Sequence, residues 1–337
     1  MIVLRDIYLS WPEMIKSVVE KWGVYSIDGV FDEIIVLGMG GSGIVGDYLQ
    51  VLAAERGPIP VYVAKSHVLP RFADLNSLVL AISYSGNTLE TLIAFRRAVE
   101  SNLRVVAVSS GGVLEEEAKK RGVLHVKMPG GLIPRASLPI MLYSVLGLLD
   151  SSGYTIVSRE EAASSATFLT NSRENALITS ERIANWLYSE CTQRGRFIII
   201  STHSPLDPLA LRFKNELNEN SKLYVKVDVA PEWMHNDVVG LEAPVLRDVC
   251  VLELVDPSNA PGVRLLEFMR GVYISLGASV RRFDLYGGNT LEKLMYGSLL
   301  AGLTSTRLGE LRGLDPVATK SIQLYKSRVS GIFEEPN

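Results

Sequence analysis

A chain of 337 residues, 47% hydrophobic and 21% charged, is long enough for two buried cores and too apolar to be disordered. Its net charge of −3, with no basic run beyond three residues, excludes a field suited to nucleic acid, so any phosphate must be held locally by amides, hydroxyls and a few cations. The only two cysteines, Cys191 and Cys250, show neither CxxC nor metal-ligand spacing, which argues against a disulfide framework or structural zinc and fits a reducing cytosol.

The N-terminus lacks the basic-then-apolar pattern of a signal segment, and no apolar run approaches the roughly 18 residues of a membrane span. Residues 1–30 predict a helix over Trp11–Trp22 and a glycine-containing turn. Ile34–Leu37 reads as a buried strand that runs into Gly38-Met39-Gly40-Gly41-Ser42-Gly43, after which helical periodicity covers Ser42–Glu55. The four glycines permit backbone angles closed to other residues and let a ligand approach the main chain. The open amides and positive dipole end of the following helix favour an anion there.

Strands are expected at Pro60–Ala64 and Leu78–Ile82, the second ending in Ser83-Tyr84-Ser85-Gly86-Asn87-Thr88. A helix then covers Leu89–Glu100, with Asn87 as N-cap and Glu90 completing a capping-box variant. Leu103–Val108, Leu114–Arg121 and Leu124–Lys127 continue as strand, helix and strand, and Leu138–Leu149 reads as a buried helix. Alternation of this kind implies a parallel sheet covered on both faces, with its binding crevice at the strand C-terminal ends.

Residues 151–195 form a helical, polar-interleaved connector. A second series follows: strand Arg196–Ser201, helix Asp207–Asn220 with Pro208 in its first turn, then strand Val249–Val255, helix Pro261–Ser275 and strand Ser279–Leu285. Residues 79–112 and 251–288 share one pattern, so the halves read as one fold used twice. The second half carries Thr202-His203-Ser204-Pro205 where the first has its glycine loop, so only the first retains the anion site. His203 stands at the position equivalent to Gly40. Thr290–Leu303 and Pro316–Arg328 read as closing helices.

Gly38-x-Gly40-x-x-Gly43 also matches a dinucleotide fingerprint, which requires an acid about 20 residues on. The next strand ends instead at Lys65, so an NADP-binding reading survives only with a phosphate on Lys65. Ser83, Ser85 and Thr88 around Gly86 supply more hydroxyls than a helix cap needs, and form the second half of a phosphate cradle.

These two loops together resemble the sugar isomerase (SIS) domain. With Pro134-Arg135-Ala136-Ser137, Asn218-Glu219-Asn220, Pro231-Glu232, His235-Asn236 and the helix ending near Lys326, the chain resembles the bifunctional phosphoglucose/phosphomannose isomerase family of archaea and bacteria over residues 34–328. The resemblance implies an α/β fold of two SIS-type doubly wound parallel-sheet domains, each an α-β-α sandwich, with a C-terminal closing helix. The first domain is placed at 1–150, the connector at 151–195 and the second domain at 196–337. It implies a cytoplasmic homodimer that uses neither metal nor organic cofactor and interconverts glucose 6-phosphate and mannose 6-phosphate with fructose 6-phosphate through an enediol(ate).

Carried over by motif, Ser42, Ser83, Ser85 and Thr88 hold the substrate phosphate with the amides of Gly40 and Gly41. Arg135 stabilises the enediolate charge. Glu219 is the base that moves a proton between C2 and C1; at the end of its helix the dipole disfavours its charge and partial burial would raise its pKa. Glu216, one turn earlier, is its rival. His235 resembles the ring-opening histidine that reaches over from the partner subunit. Lys326 resembles the lysine that assists it, with Lys320 as competitor; Thr319 and Lys326, seven apart, share a helical face. Thr319 resembles the threonine that leaves room for rotation about C2–C3 and so for mannose 6-phosphate. Other readings are a non-catalytic sugar-phosphate-binding regulator, and an aminosugar-phosphate synthase or deaminase.

Overall fold

The computed structural model describes residues 4–243 and 248–333. The chain divides into two compact units, Ser10–Thr167 with Thr319–Asn337, and Met1–Leu9 with Phe168–Ala318.

The first unit is built on a five-stranded parallel sheet: β1 (Glu33–Leu37), β2 (Val61–Ala64), β3 (Ser77–Ile82), β4 (Arg104–Ser109) and β5 (Leu124–Lys127), in the order β2-β1-β3-β4-β5. Ile34 pairs with Val61 and Leu78, and Leu78 with Arg104, so the register carries β1, β3 and β4 side by side. All six residues of β3 are buried, as expected of a central strand covered on both faces. Alternate residues Ile35, Leu37, Val79, Ala81, Val105 and Ala107 pack with Leu92, Phe95 and Ala98 of α4 (Leu89–Glu100) and with Leu114 and Ala118 of α5 (Gly112–Arg121). Also in this unit are α2 (Trp11–Val19), α3 (Gly40–Arg56) and α6 (Leu138–Ser151), with α2 and α3 both packed on α6. α7 (Arg159–Trp186) runs on from this unit into the second.

The second unit repeats the plan with β6 (Phe197–His203), β7 (Val225–Ala230), β8 (Val249–Val255) and β9 (Ser279–Asp284) in the order β7-β6-β8-β9, all parallel. Its helices are α1 (Leu4–Leu9), α8 (Asp207–Ser221), α9 (Ala260–Ser275) and α10 (Thr290–Leu311). The two copies of the strand-helix-strand pattern, β3-α4-β4 and β8-α9-β9, occupy equivalent places in their sheets. The closing helices α11 (Lys320–Lys326) and α12 (Ser330–Phe333) belong to the first unit. Among the described residues no helix is long and apolar enough to cross a membrane.

Local differences from the sequence pattern have physical causes. β7 hides behind Lys226 and Asp228; Asp228 is buried at the sheet edge, where Tyr273 Oη donates to it and Lys226 Nζ lies 2.6 Å away. α10 continues past Leu303 through Thr304-Ser305-Thr306 because these hydroxyls turn inward, Ser305 Oγ donating to Ala301 O at 2.7 Å and Thr306 Oγ1 to Gly302 O at 2.7 Å. α4 is capped by Thr88 rather than Asn87, whose Oδ1 accepts from the Val113 amide at 3.1 Å and so links the β3 and β4 loops. Cys191 and Cys250 form a disulfide, contrary to the composition argument. Two cysteines 59 residues apart carry no spacing signature, yet the π-helical turn Leu187–Thr192 brings Cys191 against central strand β8.

Candidate active site

In a sheet of order 2-1-3-4-5 the chain leaves β1 and β3 in opposite directions, and the crevice opens between their C-terminal ends. Both hydroxyl- and glycine-rich loops lie there, one after β1 and one after β3. The sheet order also differs from the dinucleotide-binding order, and Lys65 Nζ is paired with Asp47 at 2.5 Å. Both observations weigh against the NADP reading, which needed that cation for a phosphate.

Of the four glycines after β1, only Gly40 adopts a left-handed backbone, at φ +54. A Cβ there would meet nothing within 4 Å, so the main chain is open to an incoming group. Gly38 and Gly43 serve close approach instead, since a Cβ on Gly43 would lie 3.0 Å from Gly38 O. The amides of Ser42 and Gly43 turn back onto Met39 O at 3.1 and 3.2 Å. Those of Gly40 and Gly41 stand at the mouth of α3, where the dipole favours an anion.

Each of the three hydroxyls is held through its oxygen. Ser42 Oγ accepts from the Tyr84 amide at 3.3 Å and spends its own hydrogen on Met141 Sδ at 3.5 Å, a weak acceptor that a phosphate oxygen outcompetes. Ser85 Oγ accepts from the Asn87 amide at 3.3 Å. Thr88 Oγ1 accepts from Ser83 Oγ at 3.0 Å. Ser83, only 1% exposed, therefore orients Thr88, while Ser85 and Thr88 are half-buried at the crevice. Gly86, at φ +68, is required by the turn itself, because a Cβ would fall 1.7 Å from Gly111 O.

Arg135 lies in a 3₁₀ turn, Pro134–Ser137, and is 7% exposed. Its backbone passes beside Gly41, whose notional Cβ would sit 3.4 Å from Arg135 Cα. Trp11 Nε1 fixes the turn by donating to Ala136 O at 2.9 Å, and Ser137 Oγ donates to Ile133 O at 2.9 Å. A buried cation thus adjoins the anion loop.

Thr319 is the N-cap of α11 with non-helical angles of −135° and 58°, so a shared helical face with Lys326 does not run through it. Lys326 closes that helix and Lys320 opens it, both exposed. The neighbouring Tyr325 donates its hydroxyl to Glu90 Oε1 at 2.5 Å, which ties α11 to the first turn of α4.

In the second unit Glu219 occupies the last turn of α8 and is half-buried. Lys222, the left-handed cap of that helix, donates Nζ to Glu219 O at 2.6 Å and to Asp315 O at 3.0 Å. Glu216 is 1% exposed and fully engaged: Tyr8 Oη donates to it at 2.6 Å, Asn220 Nδ2 at 2.8 Å, and Arg212 pairs with its other oxygen. His235 ends a 3₁₀ turn, Glu232–His235, and is exposed. The tryptophan of that turn, Trp233, is its buried anchor, packed against Tyr273 at a ring distance of 5.4 Å.

The equivalent crevice of the second sheet is filled by the chain itself. His203 Nε2 accepts from the Asp256 amide at 3.1 Å, its Nδ1 faces Ser204 O at 3.0 Å, and its ring lies over Gly262. Lys293 Nζ is held by Asp256 at 2.7 Å and Ser258 at 2.8 Å. Burial alone would raise the Asp256 carboxyl, but the hydrogen bonds from Lys293 and Ser258 outweigh it and hold the group below its ordinary range. Tyr84, which the sequence marks only by its place between two serines, is the bridging residue that motif reading passes over.

Residues 179–329 match the family model described as "Bacterial phospho-glucose isomerase C-terminal SIS domain". A bifunctional phosphoglucose/phosphomannose isomerase of Aeropyrum pernix is 36% identical over 97% of this chain and 98% of its own. A D-glucosamine-6-phosphate 4-epimerase of Sulfolobus acidocaldarius is 31% identical over 70% of this chain and 72% of its own. The tagatose-6-phosphate ketose/aldose isomerase of Escherichia coli shares the fold, with a TM-score of 0.69 at 15% identity over 93% of this chain and 94% of that one. Sheet order, anion loops and a match over nearly the full length agree: the chain belongs to the bifunctional phosphoglucose/phosphomannose isomerase family.

Proposed function

We propose that this protein interconverts glucose 6-phosphate and mannose 6-phosphate with fructose 6-phosphate. The observation that carries the reading is the crevice between β1 and β3, where the hydroxyls of Ser42, Ser85 and Thr88 each accept an internal hydrogen bond; Ser85 and Thr88 keep a hydrogen to donate, and Ser42 has only its weak bond to Met141 Sδ to give up for a phosphate oxygen. Together with the Gly40 and Gly41 amides they make a cradle for the 6-phosphate, with Ser83 behind Thr88. Tethered there, a hexose needs only acid–base chemistry at its far end.

His235 and Lys326 move the ring-oxygen proton that opens the sugar. Glu219 then takes the C2 proton as negative charge builds on the C1 oxygen to give the enediolate, the hydroxyl proton passes from the C2 oxygen to the C1 oxygen, and Glu219 returns its proton to C1 as the C2 carbonyl forms, so that one proton moves between the carbons and one between their oxygens. Arg135, charged at any working pH, stabilises the negative oxygen between these steps. Thr319 leaves space for rotation about C2–C3, which lets either face of the enediolate be reprotonated and so admits mannose 6-phosphate. Glu219 is preferred to Glu216 because the latter is committed to Arg212, Tyr8 and Asn220. The working form is a homodimer in which His235 comes from the partner subunit. The phosphate-binding loops belong to the unit Ser10–Thr167 with Thr319–Asn337, and Glu219 and His235 to the unit Met1–Leu9 with Phe168–Ala318, in place of the division at 150 and 195 expected from the sequence. The protein works in the cytoplasm, where its disulfide, both sulfurs fully buried, is shielded from thiol reductants.

An assay of both aldose phosphates coupled to fructose 6-phosphate formation tests this, run with and without EDTA. Conversion of both at rates that EDTA leaves unchanged is expected. The relationship to an epimerase gives a second reading, and glucosamine 6-phosphate belongs in the same test. Epimerisation of that aminosugar with no ketose formed from either aldose phosphate would replace the isomerase reading. No turnover of any of them would leave the regulator.

A further inference from the structure

The Arg135 turn is reached through Pro129-Gly130-Gly131-Leu132, a stretch without regular structure whose first three residues are exposed. Two successive glycines give such a segment great freedom, so its position must be imposed from outside. The imposing group is one phenol. Tyr84 Oη donates to Pro129 O at 2.8 Å and accepts from the Leu132 amide at 3.1 Å, closing both ends of the four-residue loop on a single oxygen.

The same residue is built into the phosphate cradle. Its amide donates to Ser42 Oγ at 3.3 Å, in the loop after β1. Its carbonyl accepts from both the amide and the hydroxyl of Ser110, at 2.8 and 2.7 Å, in the loop after β4. Its chain neighbours Ser83 and Ser85 belong to the loop after β3. Tyr84 is 4% exposed, so these bonds are at least partly shielded from water, which strengthens them. Three strand-end loops thus converge on the main chain of Tyr84, and the approach to Arg135 on its hydroxyl.

We propose that Tyr84 is a positioning residue for catalysis, its hydroxyl clasping the Pro129–Leu132 loop so that Arg135 is held in register with the anion cradle. The inference rests on the reading of Arg135 as the group that stabilises the enediolate. A displacement of about 1 Å in such a group costs on the order of 10²-fold in rate, while the hydroxyls of Ser42, Ser85 and Thr88 keep the main-chain and side-chain bonds that set them for the phosphate.

The test is Tyr84→Phe, which keeps the ring and every main-chain bond and deletes only the hydroxyl. Turnover on glucose 6-phosphate is expected to fall by about 10- to 100-fold. KM, and competitive inhibition by inorganic phosphate, should stay within about twofold of the parent. Hydrogen exchange at the Leu132 amide should quicken, which reports loss of the clasp directly. Two results overturn the inference: parent-like turnover despite faster Leu132 exchange, or loss of phosphate inhibition in the same proportion as turnover, the mark of a cradle that has merely collapsed. Arg135→Met run beside it separates the layers. If Arg135→Met turns over like the parent, the assignment of Arg135 and the inference fall together; if it is crippled while Tyr84→Phe is not, the inference falls alone.

Discussion

On α8 two glutamates three positions apart are assigned opposite work by the direction in which a single turn of helix points them. Glu216 faces α1 and α10, out of water, and its charge is tolerated only because Arg212, Tyr8 and Asn220 converge on it. Removing one member of a buried pair strands the other and costs about 3–5 kcal/mol. Glu216→Gln should therefore lower Tm by roughly 10 °C in thermal unfolding, with the turnover of the molecules that remain folded nearly unchanged. Glu219→Gln should do the reverse. A lost general base typically costs about 10²–10⁴-fold in kcat, and a half-buried helix-end position offers little stability to lose. If Glu219→Gln turns over normally, or Glu216→Gln abolishes turnover with Tm intact, the roles of the two residues are misassigned.

Elements differ in how much of them the local sequence can carry. The anion loops were legible because each needs a fixed run of glycines and hydroxyls between a buried strand and a helix, and those needs are met within a dozen residues. The repeat was legible for the same reason, since β3-α4-β4 and β8-α9-β9 share order and length. β7 was not, because Lys226 and Asp228 break the apolar pattern: Asp228 is met by Tyr273, far along the chain, and Lys226 pairs with Asp228 and Asp237. The N-cap of α4 shifted by one residue because Asn87 found a better use in the amide of Val113. The pairing of Cys191 with Cys250 depends entirely on the tertiary approach of the π-helical turn to β8. That disulfide closes a loop spanning a sequence separation of 59, for which the chain-entropy relation gives about 4 kcal/mol of stabilisation. Cys191→Ala together with Cys250→Ala should accordingly unfold at a lower temperature than the parent while keeping its turnover. Equal melting of the two proteins under oxidising conditions would mean that the thiols are not joined in solution.

For the whole molecule the telling residue is His235. It sits on a turn made rigid by buried Trp233, yet its imidazole is exposed, an arrangement suited to a group that serves a second copy of the chain. If each site takes Glu219 from one chain and His235 from the other, two dead variants must rescue one another. A chain with Glu219→Gln still offers an intact His235, and a chain with His235→Asn still offers an intact Glu219. In a mixed dimer one site receives both lesions and the other receives none. Random reassembly of an equal mixture makes half of the dimers mixed, each with one sound site of two, so activity should return to about 25% of the parent level. If His235 instead served its own chain, every site in the mixture would carry one lesion and mixing would recover nothing. Denaturing the two variants together, refolding them and comparing turnover with each refolded alone distinguishes these outcomes, and a mixture no more active than its components would rule out a histidine supplied across the dimer.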